Sequence, residues 1–157
     1  MKNLRTSVLC VCMTLVSLNL MAQDPNVPLN EPDYNKPRLF SSLPELIKVN
    51  PDELGGLFAK GVGTPTSLRL GDGASLQFDG QVISSGSKFE NTLQSMVIRS
   101  SNFQGASFTI SRIVNADGSL TFRGRIISFT HGDLLELENR EGAYFLVKRN
   151  FYDLVNE

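Results

Sequence analysis

Cysteine is almost missing from this chain. Its 157 residues hold two, Cys10 and Cys12, and both lie in an uncharged stretch, 6–22, that follows Lys2 and Arg5. A basic start, a short apolar heart and the polar pair Gln23-Asp24 together have the plan of a secretory signal peptide. Ser7, Thr14, Ser17 and Asn19 dilute the stretch, which falls short of the ~20 apolar residues of a bilayer span. Residues 1–22 are therefore expected to be a signal peptide cleaved after Ala22, giving a secreted or periplasmic protein with no membrane span after cleavage. Leu9 and Val11 precede the two cysteines, where a lipid-bearing cysteine needs a small neighbour. The mature chain is then free of cysteine, which excludes a disulfide, a thiol nucleophile and a cysteine zinc site.

Histidine is nearly missing too, and tryptophan is absent. The one histidine, His131, sits in Thr130-His131-Gly132-Asp133, a turn sequence. A single histidine is a poor start for a zinc site. A serine hydrolase is not signalled either, because no Gly-x-Ser-x-Gly elbow occurs. Gly71-Asp72-Gly73 lacks the later glycine and the helix of a dinucleotide site. Asp72, Asp79, Asp117 and Asp133 each neighbour glycine, but one acid per turn is hairpin chemistry rather than a calcium loop. No metal or cofactor is expected.

Excess charge of one sign is also lacking. Fifteen basic side chains stand against 16 acidic ones, for a net charge of −1. Removing residues 1–22 takes away Lys2 and Arg5, leaving 13 against 16 and a net of −3. No run is basic enough for nucleic acid or a membrane surface.

Proline is confined. All 7 prolines lie between Pro25 and Pro65. Proline cannot donate to a ladder, so a sheet interior is open only to the chain that follows. Residues 23–40, with Pro25, Pro28, Pro32 and Pro37, fit an extended, flexible leader. The remainder, 41–157, is expected to be one β-rich domain with helices at its start.

Two short helices are expected first. Ser42-Leu43-Pro44-Glu45 fits a capping box, and Leu43, Leu46 and Ile47 share a helical face. Asn50-Pro51-Asp52-Glu53 repeats the start signal, with Leu54, Leu57 and Phe58 as the apolar face and Gly61 as a stop. Gly55 and Gly56 weaken that helix by ~1 kcal/mol each relative to alanine, so it needs something to dock on.

Beyond Ser67 the apolar period becomes two. About seven antiparallel strands are expected in a meander, closing as a small barrel-like or sandwich sheet. Ser84–Lys88 reads as a loop within it. One hairpin can be worked out to its register. The inward residues Phe108, Ile110, Phe122, Gly124 and Ile126 are all even-numbered, so paired positions must sum to an even number. A three-residue loop, Ala116-Asp117-Gly118 with Gly118 left-handed, meets that demand. It sets Phe108 opposite Ile126, Ile110 opposite Gly124, Thr109 opposite Arg125 and Ser111 opposite Arg123. Gly80 and Gly124 are placed to allow bends. Arg112 shares the parity of Phe108 and Ile110, and a bulge near the hairpin is expected to turn it outward. Asn150–Val155 suggests a capped helical turn.

The binding candidates are Thr109, Ser111, Arg123 and Arg125, with Thr121 beside them. Guanidinium forks and hydroxyls suit carboxylates, sulfates or glycans. Glu136 and Glu138 share a strand face about 7 Å apart. That face alternates away from Leu135 and Leu137, and solvated acids are weak catalysts at neutral pH. The chain thus carries no evident catalytic site. It reads as a small exported bacterial binding or interaction domain, one that inhibits or scaffolds a secreted partner. Its partner would be another exported protein or a small anionic or glycan ligand. The alternative is a barrel-type carrier or small enzyme with an internal pocket, which would need polar side chains among the inward ones, with Arg112 the one candidate.

Overall fold

The protein is described by a computed structural model covering residues 35, 37–71 and 76–151. The expected signal peptide, most of the expected leader, and residues 72–75 and 152–157 lie outside the described residues.

The second expected helix forms, with the start as read and an end at Leu57, capped by Phe58, rather than at Gly61. Helix α1 spans Pro51–Leu57, with Asn50 extended at its N-cap and the Asn50 side chain accepting from the Asp52 amide at 2.9 Å. Leu54 and Leu57 are buried and Phe58 half-buried. Full burial of a leucine stabilises by ~1.5–3 kcal/mol, which outweighs the cost of Gly55 and Gly56.

The first expected helix is instead a strand. Residues 39–42 make a turn, with the Leu43 amide bonded to the Phe40 carbonyl at 3.1 Å, and β1 follows at Leu46–Val49. Ile47 and Val49 are buried while Leu46 and Lys48 are exposed, a period of two. A distant partner decides the matter, since β1 pairs antiparallel with Tyr144–Val147. Phe40, at 2% exposure, belongs to the core, so the packed chain includes the last leader residue.

Seven strands follow in a meander: β2 (Pro65–Arg69), β3 (Gln77–Lys88), β4 (Leu93–Ser100), β5 (Ala106–Val114), β6 (Leu120–Ser128), β7 (Asp133–Arg140) and β8 (Ala143–Asn150). With β1 they form one eight-stranded antiparallel sheet in the order β1-β8-β7-β6-β5-β4-β3-β2. The sheet curls into a half-barrel rather than dividing into a sandwich. β1 and β2 are its two edges, and α1 joins them, laying Leu54 and Leu57 into the core.

The β5–β6 hairpin has the register that burial demands. Phe108 faces Ile126, Ile110 faces Gly124, Thr109 faces Arg125 and Ser111 faces Arg123. The Asn115 amide bonds to the Ser119 carbonyl at 2.9 Å, and Gly118 has φ +81. Only glycine takes that left-handed backbone at little cost. Two expectations nearby are corrected. The ladder from Ala106–Ser128 to Val114–Leu120 is unbroken, so no bulge turns Arg112 outward and it stays on the inner face. The bulge lies elsewhere, between Val82 and Ser84, where Ile83 is the extra residue. Beyond it Ser84–Lys88 continues β3 and pairs with Leu93–Val97, so that segment is strand and not loop.

The inner face packs aromatic rings along its length. Phe103 lies 5.2 Å from Phe40 and 6.2 Å from Phe78, and Phe78 lies 6.0 Å from Phe108. At the other end Phe122 meets Tyr144 at 5.7 Å and Phe58 of the helix terminus at 6.3 Å. Offset and edge-on ring pairs add ~0.5–1.5 kcal/mol each beyond burial.

Candidate functional site

Inward alternation of Phe108, Ile110, Gly124 and Ile126 sends the intervening residues to the outer face. Thr109, Ser111, Arg123 and Arg125 therefore stand together there, in two directly opposed pairs. The arginines are exposed and the hydroxyl residues half-buried. The patch extends onto β4, where Ser95 lies opposite Ser111 with the two hydroxyls 2.8 Å apart. The Thr121 hydroxyl is already engaged, accepting from the Asn115 side-chain amide at 2.9 Å.

The neighbouring acids do not neutralise these arginines. Glu136 of β7 is the ladder partner of Arg125. Its carboxylate instead takes Arg149 of β8 at 3.2 Å, and Glu138 takes Arg140 at 2.8 Å and Arg149 as well. Among the described residues Arg123 and Arg125 have no salt bridge. Sequence reasoning passed over a third cation, Arg99 of β4, which is exposed on the same face opposite Ser107. Its parity, one off from buried Ile98, was the available signal. Arg99 borders a cleft of about 340 Å³ whose walls include Ile83, Val97, Ser101, Gln104 and Ser107. Val97 is the ladder neighbour of Thr109, so cleft and arginine patch are continuous.

The catalytic alternatives weaken once placed. Hydrogen bonds from Ser67 and Gln77 at Asp79, and from Ser119 at Asp117, hold these two carboxyls below the usual carboxylate range. The Arg140 hydrogen bond, aided by the charges of Arg149 and Arg140, holds Glu138 below the usual carboxylate range. A general acid at neutral pH needs the opposite shift. The His131 Nδ1 lies 2.9 Å from the Ser128 hydroxyl, but Ser128 is fully buried and out of reach of a substrate. Among the described residues no three of His, Cys, Asp and Glu stand together as a metal ion requires.

A second hollow of about 340 Å³ lies between the chain at 38–45 and the ends of β7 and β8, lined by Arg38, Phe40, Ser41, Asp133, Lys148 and Arg149 among others. Its polar groups serve one another. Asp133, buried at 4% exposure, accepts from the Leu39 amide at 2.8 Å and the Phe40 amide at 3.4 Å. Arg38 donates to the Gly132 carbonyl at 3.1 Å, and Lys148 donates to the Ser41 carbonyl at 3.2 Å. This is a joint that straps the entering chain to the sheet.

On the inner face Arg112 lies opposite Phe122, with its guanidinium 5.2 Å from the Phe58 ring. It donates through Nη2 to Gln94, while its Nε is buried without a partner among the described residues. No helix among the described residues is long and apolar enough to cross a membrane. Compared with known proteins, the chain matches no family, no curated sequence and no solved structure.

Proposed function

We propose that the protein is an exported bacterial binding module that meets an anionic partner on the outer face of β4–β6. The partner is an acidic surface of another exported protein or an acidic glycan, and the module inhibits or scaffolds what it binds. One observation carries this reading: Arg123 and Arg125 are exposed and have no salt bridge among the described residues, although Glu136 lies across the ladder from Arg125. Guanidinium forks recognise carboxylates and sulfates in two-pronged fashion. The cleft at Ile83 and Val97 adds apolar contact beside them, so a ligand with both anionic and apolar surface fits best.

The test is retention of the purified protein on carboxylated and sulfated polysaccharides, together with capture from culture supernatant and envelope fractions. Both are run on the wild type and on the double variant Arg123→Gln/Arg125→Gln. Binding that the double variant loses, and that salt weakens, supports the reading. Equal retention of the two proteins removes it. The mass of the exported chain checks the location independently, with Gln23 expected at the amino terminus.

A further inference from the structure

Inner-face positions are apolar along most of the sheet, but the row toward the free end of β3 is not. Ser87, Gln94, Arg112 and Phe122 succeed one another across β3, β4, β5 and β6. Ser85 shares that face, opposite Met96. β2 pairs only as far as Gln81, so β3 from Ser84 to Lys88 runs on without it. Ser85 and Ser87 are exposed, whereas Phe122 at the far end of the row is buried. The row is thus a lane that opens to water at β3 and ends on the core.

Arg112 stands where the lane meets the core. Phe58 covers its guanidinium at 5.2 Å, and Phe58 in turn stacks on Phe122. No salt bridge reaches it from any described residue. A half-buried cation without a counter-charge is unfavourable unless something supplies one. The hydrogen bonding is incomplete in a telling way. Nε–H and Nη2 lie on one edge of the guanidinium, the edge that matches two carboxylate oxygens. The Gln94 amide offers one oxygen, to Nη2, and leaves Nε with no acceptor.

We propose that this edge of Arg112 is the recognition element of a subsite for the carboxylate group of a small organic acid. The ligand enters along the lane over Ser85, the Gln94 amide swings aside, and the two carboxylate oxygens take Nε–H and Nη2–H. Phe58 remains as the lid over the guanidinium face. The inner subsite is independent of the outer arginines.

The experiment follows the Arg112 Nε–H resonance in nitrogen-labelled full chain during titration with sodium acetate and sodium succinate at constant ionic strength. The resonance is assigned by its loss in Arg112→Lys. A saturable movement at millimolar acid is expected, unchanged in Arg123→Gln/Arg125→Gln. Gln94→Glu plants a carboxylate on the same edge, so that variant should fold normally and lose the response to acetate. A resonance that ignores both acids, drifts without saturating or still responds in Gln94→Glu overturns the proposal. If Arg112→Lys does not fold, the resonance is assigned by through-bond correlation to the Arg112 side-chain carbons, and Gln94→Glu, which keeps Arg112, still decides the outcome.

Discussion

Arg125 stands directly across the ladder from Glu136, yet Glu136 forms its ion pair with Arg149 of the next strand. Arg149 also holds Glu138, so one side chain of β8 gathers both acids of β7. Its removal should free them toward β6. Arg149→Gln is therefore expected to weaken anion binding at Arg123 and Arg125 while costing no more than ~1 kcal/mol of stability, the usual worth of exposed pairs. Polysaccharide retention and urea unfolding read the two effects. A variant that binds as the wild type does would show that the acids do not compete for β6.

Acid should act on the same cluster. Hydrogen bonding to Arg140, with the nearby charge of Arg149, holds Glu138 below its ordinary value. The folded state then releases its proton more readily than the unfolded state. The associated stability is fully present above the ordinary carboxylate value and fades as pH falls through the lower folded value. Glu138→Gln should flatten this part of the curve of urea midpoint against pH between about pH 6 and pH 3. Identical curves for the two proteins would remove Glu138 as the cause.

Asp133 ties two chain segments 94 positions apart, because its carboxylate receives the Leu39 amide and also that of Phe40. Asp133→Ala leaves the buried Phe40 amide without an acceptor, and an orphaned buried donor costs ~1–3 kcal/mol. Asp133→Asn retains one acceptor oxygen and should lose less. Hydrogen exchange should accelerate at residues 39–45 in the alanine variant before it does so in β5 and β6. Uniform acceleration would mean that the strap and the sheet open as one unit.

Local chemistry explains which parts of this fold were legible. The β5–β6 register followed from parity alone, because a slip by one residue would expose Phe108, Ile110 and Ile126 together. Helix α1 was readable from Asn50-Pro51, a cap and a first-turn proline that act within a few residues. β1 was not readable, since Leu43, Leu46 and Ile47 fit a helical face equally well and the deciding partner lies at Tyr144–Val147. The run Ser84–Lys88 was missed because Ile83 shifts the parity and no apolar residue follows to reveal the new one. Arg112 was placed on the inner face by parity, and the expectation of a bulge then moved it away. The sequence does not show that Phe58 and Gln94 come together to receive an inward charge. The four outer-face binding candidates were brought together as read, because the same register that buries the even positions aligns the odd ones.

Backbone comes close at Gly124 and leaves no room for a side chain between β5 and β6. A β-carbon there would lie 2.7 Å from the Thr109 carbonyl oxygen and 3.2 Å from both the Ile110 α-carbon and the Phe108 ring. Two of these three neighbours are backbone in the middle of the sheet and cannot rotate away. Gly124→Ala must push β5 from β6, and overpacking of this kind costs ~1–3 kcal/mol. Gly86 provides the control within β3. An added β-carbon there meets nothing within 4 Å. Gly86→Ala removes freedom from the unfolded chain only, so it should be neutral or stabilise by ~0.4–1 kcal/mol. Urea midpoints of the two variants should therefore move apart, down for Gly124→Ala and level or up for Gly86→Ala. Equal shifts would mean that the cost comes from the alanine substitution itself and not from the contact between β5 and β6.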